Sequence, residues 1–221
     1  MALGSKEILP GTDPWNEAPR PAPKRAVTPV CWGLMAISIA LFAAQSLGLP
    51  LAEWGALAGP PVRHGEWWRL LTSALLHGSV LHIAFNLSVV WTLGRGLEGA
   101  LGSARFALVS LVGALGSAAC VLTFAYEQYT LGLSGVLLAW AGVALPLLDR
   151  QGRRDMWVWL AQVLVISLLP GVSWAGHLGG FVAGLGAGLA ARNRRVGLAR
   201  ALPVVAFVSA VLIIVAIERH P

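Results

Sequence analysis

Apolar segments long enough to cross a membrane constrain the fold of this chain more than any other sequence feature. A helix needs about 20 apolar residues to cross the hydrocarbon core of a bilayer. Segments approaching this length cover residues 30–49, 70–93, 104–125, 133–149, 156–170, 174–191 and 202–217. The composition, 57% hydrophobic and 12% charged, is that of an integral membrane protein. Because backbone polar groups inside a bilayer must pair within the protein, we predict an all-α, polytopic helical bundle.

Two of these segments are expected to be irregular. The fifth is short, and the fourth begins with Gly132-Leu133-Ser134-Gly135, so both are predicted to be broken or to begin below the membrane surface. Residues 1–29 precede the first segment and contain six prolines but few large apolar residues. We predict a disordered cytoplasmic tail there, followed by a retained first helix rather than a cleaved signal peptide.

The positions of Lys and Arg predict the orientation in the membrane, because basic residues are retained on the cytoplasmic side. A cytoplasmic N-terminus leaves only Arg63, Arg69 and Arg219 on the outer side. The cytoplasmic side then holds Lys6, Lys24, Arg20, Arg25, Arg95, Arg105, Arg150, Arg153, Arg154, Arg192, Arg194, Arg195 and Arg200. This asymmetry explains the net charge of +6 better than nucleic-acid binding does. It also predicts that Ser134 and the segment before Trp174 lie on the outer side.

The loop between the first two segments, residues 50–69, is rich in side chains that are partly apolar and partly polar. It contains Trp54, His64, Trp67, Trp68 and Arg69. Such side chains are typical of the headgroup boundary of a membrane. We therefore expect a partly embedded hairpin or short helices on the membrane surface.

A serine and a histidine among glycines are the candidate catalytic residues. Ser134 lies between Gly132 and Gly135, and His177 follows Gly176. A hydroxyl beside an imidazole can act as nucleophile and base, and polar groups inside membrane segments are often functional. The alternatives are a chance Gly-x-Ser-Gly in a chain with 26 glycines and a structural histidine.

Small residues repeat along the segment that carries His177, four residues apart. This small-xxx-small pattern lets two helix backbones approach closely, and the fourth segment offers Gly135, Ala139 and Gly142 as partners. Plain helix packing explains the pattern equally well. The repeated positions are Gly176, Gly180, Gly184 and Gly188.

His82 and Asn86 lie four residues apart in the second segment, so on a helix they share one face. Their N–H groups, with the backbone N–H of Ser134, are candidate donors to an oxyanion.

His77 is interpreted as structural. His64 and His220 are expected to be solvated. Cys31 and Cys120 lie in apolar segments without metal-binding spacing and are expected to be small core residues.

Taken in order, these motifs resemble those of the rhomboid family of intramembrane serine proteases. The similar stretch runs from about Gly65 to Gly188. Its motifs are Trp67-Trp68-Arg69-Leu70-Leu71-Thr72, His77 with four residues between it and His82, His82-x-x-x-Asn86, Gly94-Arg95-Gly96-Leu97-Glu98, Gly132-Leu133-Ser134-Gly135 and Gly176-His177-Leu178-Gly179-Gly180.

The resemblance implies a Ser-His dyad, with Ser134 as nucleophile and His177 as its base. It implies that His82 and Asn86 bind the oxyanion and that Arg69 and Glu98 are structural. No acidic residue stands near His177 in sequence, so a triad is not indicated. Neither a metal nor another cofactor is implied.

The implied architecture is a six-helix core with one added helix. We assign residues 1–29 to the cytoplasmic tail and 30–191 to a rhomboid-like six-helix membrane domain. Residues 192–221 are predicted to form a basic cytoplasmic loop and an additional C-terminal transmembrane helix. Since the chain begins without an acid-poor, transit-like leader, a prokaryotic plasma membrane is expected.

The expected substrates are single-span membrane proteins whose helix contains small or helix-breaking residues. One branch of the family trims C-terminal anchor segments, and that alternative stays open. A second alternative is an inactive relative that binds transmembrane helices, although such proteins usually lack the serine or the histidine. A small-molecule transporter would show inverted repeats, and the sequence contains no convincing internal repeat.

Overall fold

Helices form the regular structure of the part of the chain that is described, residues 27–192 and 197–220 of a computed structural model. An isolated bridge between Leu57 and Thr130 adds one antiparallel contact. The predicted all-α class is therefore confirmed. The predicted tail lies outside the described residues, apart from its last three positions. The division into domains stays a prediction.

The helix order agrees with the seven predicted segments and adds short helices between the first two. Three short helices, α2 (Leu51–Gly55), α3 (Gly59–Arg63) and α4 (Arg69–Thr72), form the first loop. A run made of α5 (Val80–Val89), a π-helical turn (Val90–Gly94) and α6 (Arg95–Leu101) follows. The remaining helices are α1 (Pro29–Ser46), α7 (Ser103–Phe124), α8 (Ser134–Ala144), α9 (Arg150–Ser167), α10 (Trp174–Arg192) and α11 (Gly197–Arg219).

The second segment begins later and ends later than the predicted 70–93. Ser79 has extended backbone angles, and its Oγ accepts a hydrogen bond from the His82 N–H at 3.2 Å, which is an N-cap for α5. The apolar residues before Ser79 form α4 and a 3₁₀ turn, Ser73–Leu75. His77 consequently lies in the turn before α5 and not on the same helix as His82.

Within residues 27–192 and 197–220, four helical runs are long and apolar enough to cross a membrane. They are Pro29–Ser46, Val80–Leu101, Ser103–Phe124 and Gly197–Arg219, and Ser134–Leu147 is a shorter apolar helix. The other two long helices are less apolar for identifiable reasons. The first turns of α9 contain Arg150, Arg153 and Arg154, whereas α10 contains His177 and many glycines.

The core lies where α7, α8 and α10 pack against one another, at distances that only small residues permit. A methyl group on Gly180 would overlap the carbonyl of Gly135, and one on Gly184 would overlap that of Ala139. Gly188 is similarly close to Val143. Three of the four glycines in the predicted stripe therefore face α8. Gly176 instead faces α7, where a methyl group would lie 3.0 Å from the Oγ of Ser117.

We expect Gly180→Val to prevent α8 and α10 from packing. Its branched side chain has no space beside the Gly135 carbonyl, and such overpacking commonly costs about 1–3 kcal/mol or more. Gly186→Val is the matched control, because a methyl group there meets nothing within 4 Å. Thermal unfolding in detergent should show a large fall in Tm for Gly180→Val alone. Equal Tm values for the two variants would refute this packing.

The Glu98 carboxylate joins three helices at one end of the bundle. It accepts hydrogen bonds from the backbone N–H groups of Val30 at 3.0 Å and Cys31 at 2.9 Å, and from the Ser103 hydroxyl at 2.7 Å. Glu98 is only 1% exposed. The first N–H groups of a helix lack intrahelical acceptors, so this carboxylate satisfies two of them at the start of α1. Of the two predicted core cysteines, Cys31 is buried and Cys120 is partly buried.

Arg69 organises the first loop from a buried position. Its guanidinium donates to the carbonyls of Ala56 at 2.7 Å and Glu53 at 2.8 Å, and its Nε donates to the Glu66 carboxylate at 2.8 Å. These bonds attach α4 to α2 and to the turn that precedes α4. The loop thus consists of short helices, as predicted, and Trp54, Trp67 and Trp68 remain exposed.

The first loop is also bonded to the segment that leads into α8. Leu57 and Thr130 exchange two backbone hydrogen bonds of 2.8 Å, and the Gly59 N–H donates to the Tyr126 carbonyl at 2.7 Å. The loop therefore supports the backbone shortly before Ser134.

The two histidines expected to be solvated differ. His64 is exposed, as expected. The prediction for His220 is wrong, because its ring stacks on Tyr126 with ring centroids 3.9 Å apart. The Arg63 guanidinium donates to the carbonyls of Ile217 and His220 and thereby attaches the end of α11 to the first loop.

Candidate active site

Ser134 and His177 are in direct hydrogen-bonding contact. The Ser134 Oγ lies 2.8 Å from the His177 Nε2. Ser134 is the first residue of α8 and His177 the fourth of α10, so both lie at the N-terminal ends of their helices. Both side chains are partly buried. A hydroxyl at this distance from an imidazole has the geometry of a nucleophile and its base.

Local backbone features hold the two residues at this end of the bundle. Gly132 has a φ of +124°, which an L side chain rarely adopts, and it turns the chain into α8. At the start of α10, the Ser173 Oγ accepts a hydrogen bond from the Gly176 N–H at 3.2 Å. The close contact of Gly135 with Gly180 then brings the two helix ends together.

His82 and Asn86 lie beside Gly132, two residues before Ser134 in the sequence. A Cβ atom on Gly132 would lie 2.6 Å from the His82 Nε2 and 3.8 Å from the Asn86 Nδ2. Both side chains project from α5, and their spacing of four residues puts them on one face. Glycine at position 132 is therefore required by space as well as by φ.

The Asn86 amide is fully buried, and neither Nδ2 nor Oδ1 has a hydrogen-bond partner. Leaving a buried polar group unpaired costs about 1–3 kcal/mol. Such groups are uncommon in folded proteins and call for an explanation. A ligand atom that binds only during the reaction would supply one.

His77 is buried in the turn before α5 and packs edge-on against the His82 ring, with ring centroids 5.1 Å apart. Its carbonyl accepts a hydrogen bond from the Gln45 side chain at 3.2 Å. This contact ties the turn to the end of α1. Both ring nitrogens of His77 are buried without a hydrogen-bond partner, so its structural role stays a prediction.

The second nitrogen of His177 has a partner that the sequence analysis did not single out. The Nδ1 atom lies 2.6 Å from the Oγ of Ser167, the last residue of α9. Ser167 is 6% exposed. The residue was missed because a serine within an apolar helix commonly bonds its own backbone, so its presence there carries no signal.

A small cavity lies beneath the first loop, beside Gly132 and Gly135. Its lining includes Ser73, Ser117, Thr130, Gly132 and Gly135. In the part of the chain that is described, no group of three or more His, Cys, Asp or Glu side chains is arranged to hold a metal ion.

The predicted site residues fall into two groups. Ser134, His177, His82, Asn86, Gly132, Gly135, Gly176 and Gly180 gather at one end of the bundle. Others lie outside this cluster. Arg69 is in the first loop, Gly184 lies one turn further along α10, and Glu98 is about four turns beyond His82 along its helical run.

Comparison with known proteins identifies the family. The model of the rhomboid domain family matches residues 64–194, which is more than half of the chain. Among curated proteins, the chain is 30% identical over 143 residues to the rhomboid protease GluP of Bacillus subtilis (strain 168). That alignment covers 61% of this chain and 28% of the relative, so the chain spans about a quarter of the relative's length. The chain is therefore an integral, multi-pass membrane protein that belongs to the rhomboid family.

Proposed function

We propose that this protein is an intramembrane serine endopeptidase that cleaves membrane proteins through an acyl-enzyme. The observation that carries the proposal is the 2.8 Å contact between the Ser134 Oγ and the His177 Nε2. Membership of the rhomboid family and similarity to a protein named as a rhomboid protease support it.

In the first half of the reaction, the His177 Nε2 removes the Ser134 hydroxyl proton while Oγ bonds to the scissile carbonyl carbon. The carbonyl π electrons move to oxygen and produce a tetrahedral oxyanion. When this intermediate collapses, the C–N bond breaks and the leaving amine takes the proton from His177. An ester between Ser134 and the substrate remains.

The oxyanion is bound by donors that converge on the start of α8. The N–H of Ser134 belongs to the first turn of the helix, whose N–H groups have no intrahelical acceptor. The Asn86 amide gains the partner that it lacks at rest, and His82 Nε2 supplies a second side-chain donor. Donors positioned in advance for developing charge are usually the largest single contribution to catalysis.

Water completes the reaction by hydrolysing the ester. It attacks the acyl carbon, passes a proton to His177 and releases the new carboxylic acid, after which Ser134 regains its proton. A small cavity that Ser73, Ser117 and Thr130 help to line lies beside Gly132 and Gly135, on either side of Ser134 in the sequence; a water held in such a place needs two to four polar partners.

The proposed substrate is a single-span membrane protein with a locally weakened helix. A protease requires an extended peptide, and inside a bilayer only residues that destabilise a helix release one. The excess of basic residues on one side supports a cytoplasmic N-terminus and an active site that opens to the outer side.

Purified protein and a model single-span substrate in lipid vesicles test this proposal. We expect two fragments from a cut in or near the transmembrane segment, located by mass spectrometry. Ser134→Ala is the inactive control. If intact substrate persists with the wild-type protein while binding to it is detected, the chain is instead a helix-binding relative without protease activity. Release of C-terminal anchor segments alone would identify the specialised branch.

A further inference from the structure

Ser167 lies on the far side of the His177 ring from the nucleophile. The His177 Nε2 faces the Ser134 Oγ at 2.8 Å, and the Nδ1 faces the Ser167 Oγ at 2.6 Å. The two hydroxyls therefore hold the imidazole at both nitrogens. Their helices, α8 and α9, are different from the helix that carries the histidine.

The proton of the Ser167 hydroxyl is already committed elsewhere. Its Oγ donates to the Val163 carbonyl at 2.7 Å, one turn earlier in α9. A carbonyl oxygen only accepts, and a serine hydroxyl has a single proton to donate. Toward His177, Ser167 can therefore only accept a hydrogen bond.

This bonding fixes the tautomer of the neutral imidazole. The Nδ1 must carry the ring proton in order to donate to the Ser167 Oγ. Because a neutral imidazole carries one N–H, Nε2 is left with a free lone pair. That lone pair accepts from the Ser134 hydroxyl, which is the arrangement that a general base requires. The opposite tautomer would direct an N–H at Ser134 and could not remove its proton.

We propose that Ser167 is a positioning residue for the Ser134–His177 dyad, and that it holds His177 in the Nδ1–H tautomer and in the correct orientation. This inference rests on the proposed function. Ser167 touches no reacting atom and acts only through His177. It occupies the place where a triad has a carboxylate, and a neutral hydroxyl there avoids burying a charge within the membrane domain.

Threonine and valine have nearly the same shape, so comparing them at position 167 tests the role of the Ser167 hydroxyl. Threonine at position 167 can still bond the carbonyl four residues earlier and accept from His177, whereas valine can do neither. Partners that fix a histidine tautomer in metal sites are worth about 10–100-fold. We therefore expect Ser167→Val to lower kcat by roughly 10–100-fold at unchanged KM. Ser167→Thr should retain most of the wild-type kcat.

The control is Thr123→Val, which removes a similar bond within a helix. The Thr123 hydroxyl donates to the Ala119 carbonyl at 2.7 Å within α7, which carries none of Ser134, Ser167 and His177. The Thr123→Val variant should keep the wild-type kcat. The inference is overturned if Ser167→Val keeps the wild-type kcat, or if Thr123→Val loses as much activity as Ser167→Val does.

A second measurement does not depend on activity. In protein labelled with ¹⁵N-histidine, NMR distinguishes protonated from unprotonated ring nitrogens. The His177 signals, assigned by their loss in His177→Ala, should show a protonated Nδ1 and a bare Nε2. The opposite pattern overturns the inference. Cleavage that survives Ser134→Ala instead contradicts the proposed function and leaves the tautomer result standing.

Discussion

Replacing either Ser134 or His177 with alanine is expected to lower kcat for cleavage by roughly 10⁴–10⁶-fold. Without the hydroxyl no acyl-enzyme forms, and without the imidazole the hydroxyl keeps its proton. Since the two residues act as one unit through their 2.8 Å contact, the double variant should be no slower than the slower single variant. Rates of fragment formation from a single-span substrate provide the measurement.

The matched controls are an exposed serine and an exposed histidine that take no part in this contact. Ser46 donates to the Phe42 carbonyl within α1, and His64 lies in the first loop. Ser46→Ala and His64→Ala should cleave at the wild-type rate. Additive losses in the double variant would show that Ser134 and His177 do not act together.

Replacing Asn86 with leucine is expected to separate catalysis from stability. The rate should fall by about 10²–10³-fold, as is typical when one oxyanion donor is lost. The folded protein should be no less stable, because leucine has a similar size and removes a buried amide that has no partner at rest. Comparing kcat with Tm in detergent tests both halves of this expectation.

Ser88→Ala is the control on the same helix, since the exposed Ser88 hydroxyl bonds only its own helix, at the Phe85 carbonyl. It should affect neither rate nor Tm. An Asn86→Leu protein that cleaves at the wild-type rate would remove Asn86 from the oxyanion site. A large fall in Tm would mean that the amide has a structural partner instead.

The sequence was most informative where physical chemistry leaves few choices. Span-length apolar segments predicted helices, and the glycines at four-residue intervals predicted close packing, which Gly180 and Gly184 make against α8. The spacing of His82 and Asn86 placed both on one face. These inferences depend on local periodicity, and local periodicity can be read directly.

Other features depend on contacts between segments that are distant in the sequence, and they could not be predicted from the sequence alone. The helix carrying His82 begins at an N-cap serine inside an apolar run, so hydropathy alone put its start about ten residues too early. The Ser167 contact with His177 arises only when α9 packs beside α10. The stacking of His220 on Tyr126 likewise joins the end of α11 to a loop far away in sequence.

Covalent labelling by a fluorophosphonate probe tests the central claim most directly, because it detects an activated serine without requiring a known substrate. After labelling of the wild-type protein and peptide mapping by mass spectrometry, the phosphonyl group should be found on Ser134. Labelling should be lost in Ser134→Ala and in His177→Ala. An adduct on another residue, or undiminished labelling of Ser134 in the folded His177→Ala protein, would contradict the dyad.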